Sequence, residues 1–488
     1  MGKQKSLKLN FLMNCVLTMS SFIFPLITFP YVTRILQPIG TGKVSFALSL
    51  ISYFSLFAQL GIPTYGIRAC AQVRDDKERL TKTVHELMFI NLVMCFISYG
   101  VLAALLWNVE RFQADRPLYL IISLQLILNA IGVEWLYKAL EEYAYITIRS
   151  IVFKFLALVA MFAFVHKQDD YIIYGAISIL AASASNILNF INIKKYIYLK
   201  WMGKYNLRRH LRSIFVFFAM SCATVIYTNI DTLMLGFMKG DYVVGCYDAS
   251  IKIKTVLVSI VTSLGAVVLP RASYYVEQNR IDEFKDVTKK ALTFVWVVAT
   301  PMVVYFIAVA DHIILFLSGT AYTSSIVPMQ IIMPTLLLIG ISNILGLQVL
   351  VPLGKEKIVL ISEIAGALVD ILINATFIPL YGATGAAIGT LIAEFVVTLI
   401  QFISLRAMLG TIFKQLPILK VFVAIIPFTA IFFILPKCEF SHFVALIVSS
   451  IIFFGGYIIV LVIEREHFTI TVFQQILGRL KKLESKKR

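Results

Sequence analysis

The sequence predicts an all-α, polytopic membrane protein of about fourteen transmembrane helices, and three observations lead there. Hydrophobic residues fill 59% of the 488 positions and charged residues only 15%. A soluble globular chain has about 45–50% and about 25%. The apolar residues fall in long runs, each near the ~20 residues that a helix needs to cross a bilayer. Lys and Arg gather in alternate connections between those runs, the pattern that orients membrane proteins. A secreted disulfide scaffold, a disordered chain and an ordinary cytosolic enzyme are excluded by this composition.

Taken in order, the runs cover approximately residues 11–36, 44–67, 84–107, 118–137, 145–165, 171–193 and 213–238. They continue over 243–269, 288–318, 325–353, 357–379, 384–405, 418–436 and 442–463. The basic start MGKQKSLKLN followed by an apolar run suggests a signal peptide. The run is too long and has no small-residue cleavage site, so it reads as a retained first span. Pro25 and Pro30 are expected to bend it, since each removes a backbone donor. The basic connections fall on the same side as the amino terminus, which predicts a cytoplasmic location for both ends. The net charge of +17 is then the topology signal facing an anionic leaflet, and nucleic acid is not expected as a partner. The six cysteines lack the spacing of a metal site or a disulfide framework.

The chain also repeats. GIPTYGIRACAQVRDDKERLTKTV, around Pro63, is echoed by VLPRASYYVEQNRIDEFKDVTKKA, around Pro270. Each is a run ending near Pro followed by a mixed-charge connection. The predicted domains are a six-helix bundle over 1–193, a basic cytoplasmic linker over 194–212 and a second six-helix bundle over 213–405. Two extra helices and a basic cytoplasmic tail occupy 406–488. Blocks of six spans start on the same side, so the repeat is parallel, with its pseudo-two-fold axis along the membrane normal. Transporters built this way bind cargo between their halves.

Polar residues inside the runs are costly and therefore informative. Asn14, Thr18, Ser21, Pro25 and Thr28 fall on one helical face of the first run, and Ser221, Thr224, Thr228 and Asp231 repeat that spacing in the seventh. Ser45, Ser49, Ser52 and Gln59 share a face of the second run; Asp248, Lys252, Thr255, Ser259 and Thr262 share one of the eighth. These stripes predict a water-filled cleft lined by the four runs. The plainer reading is hydroxyl glue between packed helices. The cations Lys154, Lys252, Lys254 and Arg34 are candidates to attract an anionic cargo, with Lys154 about nine residues into its run and near the bilayer midplane. The acids Asp231, Asp248, Glu363, Asp370 and Glu394 read either as ion-coupling groups or as structural pairs; for Glu134 and Glu394 the structural pair is the stronger reading. Asp248 and Lys252, four apart, can pair on one face. Gly382, Gly385 and Gly389 permit close helix approach. No P-loop, Rossmann glycine pattern or His-Glu-x-x-His occurs, so no catalytic residue, metal or organic cofactor is expected and the protein does not read as an enzyme.

PYVTRILQPIGTGKVSFALSLISYFSLFAQLGIPTYGIRACA resembles the first two spans of bacterial polysaccharide flippases, in the multidrug/oligosaccharidyl-lipid/polysaccharide exporter superfamily. GCYDASIKIK and LVPLGKEKIVLISEIAGALVDILINATFIPLYGATGAAIGTLIAE are similar to the same group. The resemblance implies two six-helix bundles working by alternating access. It implies an undecaprenyl-diphosphate-linked oligosaccharide moved from the inner to the outer leaflet of the bacterial plasma membrane for surface polysaccharide assembly. Coupling to H⁺ or Na⁺ is implied, with membrane lipids and polysaccharide-assembly proteins as partners. The related lipid II flippases carry a mid-membrane arginine in their first helices, whereas the first run here has no charge before Arg34. A lipid II-type or multidrug cation exporter of the same superfamily is the alternative. A membrane glycosyltransferase or polymerase fits less well, because it needs a sizeable outer loop and each one here is short.

Overall fold

The computed structural model describes residues 7–434, 440–466, 468–471 and 474, and these contain helices and turns with no strand. The basic tail from residue 475, Cys438 and the end of the thirteenth run lie outside the described residues. Among the described residues nine helices are long and apolar enough to cross a membrane, ten if the bent pair Thr320–Ile332 and Thr335–Leu350 is one span. Two further apolar helices, Arg116–Gly132 and Ile418–Ile434, are shorter. All fourteen runs fall on helix, because the first apolar stretch, Leu12–Ala71, holds two of them and the eighth run forms a helix with three charges. The protein is a multi-pass membrane protein. Its large exposed apolar side chains, Phe96, Phe155, Leu372 and Ile451 among them, are the lipid-facing surface that the composition demands.

The chain divides into two compact units, one ending at Asp248 and the other beginning at Ala249. The helices of the first are α1 (Leu7–Gln59), α2 (Ile62–Ala71), α3 (Lys77–Asn108), α4 (Glu110–Gln113), α5 (Arg116–Gly132), α6 (Glu134–Ala139), α7 (Tyr143–Phe164), α8 (Tyr171–Ile179), α9 (Asn186–Asn192) and α10 (Arg208–Met238). The boundary falls inside α11 (Asp241–Thr262). The second unit continues with α12 (Gly265–Glu277), α13 (Ile281–Ala308), α14 (Ala310–Ser318), α15 (Ile326–Ile332), α16 (Thr335–Asn343), α17 (Glu356–Tyr381), α18 (Ala383–Lys414), α19 (Ile418–Thr429), α20 (Ile431–Ile434) and α21 (His442–Ile463). The division thus lies well beyond the basic segment 194–212, and α10 packs on α1 and α2 within the first unit.

Local chemistry explains the breaks. α1 stays helical through Pro25 and Pro30 and leaves helical geometry at Gln37, at φ 59° and ψ 175°, which separates the first two runs. Pro38 follows, and a proline disfavours the helical conformation of the residue before it. The bend expected at Pro25 and Pro30 is therefore not a break in the backbone; the break is one residue before Pro38. Gly61 turns α1 into α2 at φ 71°, and a Cβ there would lie 2.4 Å from the backbone N of Phe218 on α10. Asp76 caps α3 by accepting from the N–H groups of Glu78 and Arg79 at 3.0 and 3.1 Å. Leu80, Val84, Leu87, Trp135, Tyr137 and Ile214 form the core beneath these turns.

Candidate functional site

Lys154, near the middle of α7, donates from Nζ to the hydroxyls of Ser20 and Ser21 on α1, both at 2.9 Å. α7 is docked on α1 one further contact down, where Thr147 donates to the carbonyl of Met13 at 2.9 Å. Both hydroxyls are neutral, and among the described residues no carboxylate is in ion-pair contact with this half-buried ammonium. Ser21 belongs to the polar face of α1, on which Asn14 and Thr18 are exposed and Thr28 is half-buried. Thr18 and Thr28 bond only carbonyls of their own helix, Asn14 at 2.9 Å and Pro25 at 3.3 Å. Thr224 and Thr228 on α10 are exposed and donate to carbonyls of their own helix, Met220 at 3.3 Å and Thr224 at 2.8 Å, and Thr228 also accepts from its neighbour Asn229 at 2.9 Å. Hydroxyls that gluing helices together would require must reach a neighbouring helix, and these four do not.

Ser45 and Ser49 behave differently. Ser45 donates to Asp248 at 2.8 Å and Ser49 to the carbonyl of Asn229 at 3.1 Å. Both bridge helices, so these two expected lining residues work as packing contacts. The same face of α1 closes tightly on the start of α11: a Cβ on Gly42 would lie 1.8 Å from the Asp241 carbonyl oxygen, and one on Gly245 1.9 Å from that of Pro38. Arg111 pairs with Asp241 beside them. Asp231, buried on α10, accepts from the Tyr247 hydroxyl.

The other expected cations are Arg34, Lys252 and Lys254. Arg34 is exposed and lies 14 residues beyond Ser20, about 21 Å along the helix. Lys252 and Lys254 are half-buried in the second unit and, two residues apart, point to nearly opposite sides of α11. Thr255 is exposed and Ser259 half-buried there, bonding Ile251 at 2.8 Å and Val256 at 2.6 Å on their own helix. Asp370 and Asn374 are buried on α17 against Gly389 of α18, where a Cβ would sit 2.9 Å and 2.3 Å from their Oδ1 atoms. Glu394 is buried on α18 and Glu363 half-buried on α17.

Arg149 and Glu86 are two of the buried charges that escaped the sequence reading. Arg149, five residues before Lys154, is 4% exposed and binds Glu134 at 2.7 Å, with Ser185 and Asn186 as further partners. Glu134 also takes Lys138 at 2.9 Å. The wide helical turn Leu180–Ala184 tips Ser183, Ser185 and Asn186 inward, and Asn129 accepts from Ser183 and Asn186, both at 3.1 Å. The polar run Ser183, Ser185, Asn186, Asn189 within an otherwise apolar span was the signal for it. Glu86, fully buried on α3, is the second: it binds Arg209 at 2.6 Å, His210 at 2.8 Å and the N–H of Asn206 at 2.7 Å. The Tyr65 hydroxyl lies 2.7 Å from the other nitrogen of His210.

Comparison with known proteins adds the following. Residues 7–276 match the family described as polysaccharide biosynthesis protein, and residues 217–376 match the MatE family. A putative O-antigen transporter of Escherichia coli K12 is 26% identical over 406 residues, covering 82% of this chain and 97% of that protein. One of Shigella dysenteriae is 26% identical over 402 residues, covering 80% and 98%. Among solved structures, the lipid II flippase MurJ in an inward closed conformation aligns with a TM-score of 0.71 at 16% identity, covering 93% of this chain and 99% of that one.

Proposed function

Because the chain belongs to the polysaccharide biosynthesis protein family, we propose that it is a flippase that carries a lipid-linked oligosaccharide across the membrane. The observation that carries this reading is Lys154. An ammonium held within a membrane helix by hydrogen bonds to two neutral serine hydroxyls is expensive, ~2.5–3.5 kcal/mol at a helix centre on the insertion scale, and such residues mark the path of a charged cargo. A diphosphate supplies the missing counter-charge. The exposed polar faces of α1 and α10 offer hydroxyls and an amide for sugar hydroxyls, while the lipid tail stays in the bilayer. The same cation disfavours a cationic drug as cargo.

The finer statements belong to the same proposal. The carrier is undecaprenyl diphosphate, the membrane is the bacterial plasma membrane with both chain ends cytoplasmic, and the cargo moves from the inner to the outer leaflet. H⁺ or Na⁺ drives the cycle, with the buried Asp370 and Glu394 as the carboxylates best placed to bind it. Polysaccharide-assembly proteins receive the product. The test is the arrival of lipid-linked glycan at the outer leaflet of cells that depend on this chain. Lys154→Arg should keep transport and Lys154→Ala should lose most of it at equal protein abundance. Normal export by Lys154→Ala would overturn the assignment.

A further inference from the structure

In the second unit a cavity of about 1220 Å³ opens where α12, the start of α13, the α18–α19 turn and the chain beyond α21 meet. One wall is apolar, with Leu264, Val268, Val287 and Leu419. The rest carries charge of both signs, but the two signs are not equally available. Glu283 is held by Arg280 at 2.7 Å and Asp286 by Lys290 at 2.6 Å. Glu466 accepts from the N–H groups of Phe468 and Thr469 at 3.0 and 2.6 Å and from the Thr469 hydroxyl at 2.7 Å. Each lining carboxylate is therefore engaged.

The cations are not matched in the same way. Among the described residues Arg271 and Arg465 have no side-chain hydrogen bond or ion pair, Lys289 donates only to the neutral Gln415 at 2.7 Å, and Lys420 only to the carbonyl of Glu464 at 2.9 Å. Four lining cationic heads thus have no acid partner among the described residues, while the lining acids are already engaged. The concavity lies at the ends of the membrane-spanning helices α13, α18 and α21, where an apolar wall meets a charged rim. The shape and chemistry suit an amphiphile whose phosphate meets the cations and whose chains lie along the wall.

We propose that this cavity binds the phosphate headgroup of an anionic phospholipid from the surrounding membrane. It is remote in sequence from Lys154, lies in the other unit, and stands whether or not the flippase reading holds. A phosphate could also come from the isoprenyl diphosphate of a cargo or from solution, and the experiment separates the three.

The purified full chain in detergent is titrated with phosphatidylglycerol or phosphatidylcholine, and bound lipid is counted by native mass spectrometry. Phosphatidylglycerol should bind in preference to phosphatidylcholine. The double variant Arg271→Gln with Arg465→Gln should weaken that binding about thirtyfold, since each basic residue near such a headgroup contributes on the order of 1 kcal/mol. Arg74→Gln, which removes an exposed cation paired with Glu141 in the first unit, should leave it unchanged. Arg271→Lys with Arg465→Lys keeps the charge and should keep most of the binding, which separates lost charge from a lost fold. Equal binding of the two lipids, or undiminished phosphatidylglycerol binding in the double Gln variant, overturns the proposal. Displacement of phosphatidylglycerol by millimolar inorganic phosphate overturns it in favour of a soluble ligand. Displacement by undecaprenyl diphosphate at far lower concentration than phosphatidylglycerol itself overturns it in favour of the cargo's carrier.

Discussion

The same corner of the repeat is filled in the first unit and hollow in the second. In the first, the space by α2 and the start of α3 is occupied by the basic segment that follows the sixth run. Tyr198 donates its N–H to Thr81 at 3.1 Å, Lys77 lies 4.5 Å over the Tyr198 ring, and Asn206, Arg209 and His210 close on Glu86. In the second, the corner by α12 and the start of α13 keeps its volume and its uncompensated cations. The difference comes down to one acid. Glu86 is a buried negative centre around which a basic segment can fold, and it holds three donors at once. In the second unit the position 207 residues after Glu86 is Thr293, and the lining carboxylates Glu283 and Asp286 are neutralised by neighbours one helical turn away. The first corner is thus closed by a basic segment around Glu86, and the second holds a cavity.

That contrast can be broken most severely at Glu86. Glu86→Ala leaves Arg209 and His210 facing a buried gap, and removing one partner of such a cluster costs about 3–5 kcal/mol. The thermal unfolding midpoint in detergent should fall clearly, and protease should gain access to the 194–212 segment; an unchanged midpoint would show that the corner is held by the aromatic contacts alone. A smaller effect is expected where the first unit is tightest. Gly42→Ala would push a methyl to within 1.8 Å of a backbone oxygen, so α1 and α11 must part, at about 1–3 kcal/mol. Thermal stability measures this directly, and a neutral Gly42→Ala would mean that the contact gives way freely. The smallest change in stability is expected at the hollow corner. Lys289→Glu replaces one of the unmatched cations with a carboxylate and, at a site half-open to solvent, should alter stability by no more than about 0.5 kcal/mol. It should nonetheless lower phosphatidylglycerol binding, and a binding curve identical to that of the unmodified chain would break the parallel with Glu86.

Apolar periodicity made the helices legible, and the gap between the first two runs lies at the Gln37–Pro38 break. The polar face of α1 was also legible, because a helical face follows from spacing alone, whereas the bonds of Lys154 to Ser20 and Ser21 on that helix were not. Which serines line and which bridge was not legible. Ser45 and Ser21 have the same chemistry, and only the partner 203 residues away makes Ser45 a packing contact. Arg149 and Glu86 escaped for a related reason. Each stands close to the start of its run, where a charge reads as an interfacial residue, and its burial depends on groups from α6, the sixth run or α10. The fit of the buried Asp370 and Asn374 against Gly389 is likewise a property of the α17–α18 hairpin.

The partners of Glu86 also set an order on synthesis. His210 follows it by 124 residues, which at about 5–20 residues per second is roughly 6–25 s of elongation. Throughout that interval α3 must enter or wait at the membrane with its buried carboxylate unaccompanied. Several later helices emerge before the one that satisfies the first. The insertion machinery therefore has to shelter α3 until α10 arrives, and a photo-crosslinker placed at Met88 should remain attached to that machinery in nascent chains stopped before Asn206 and be released in chains stopped after α10 has emerged.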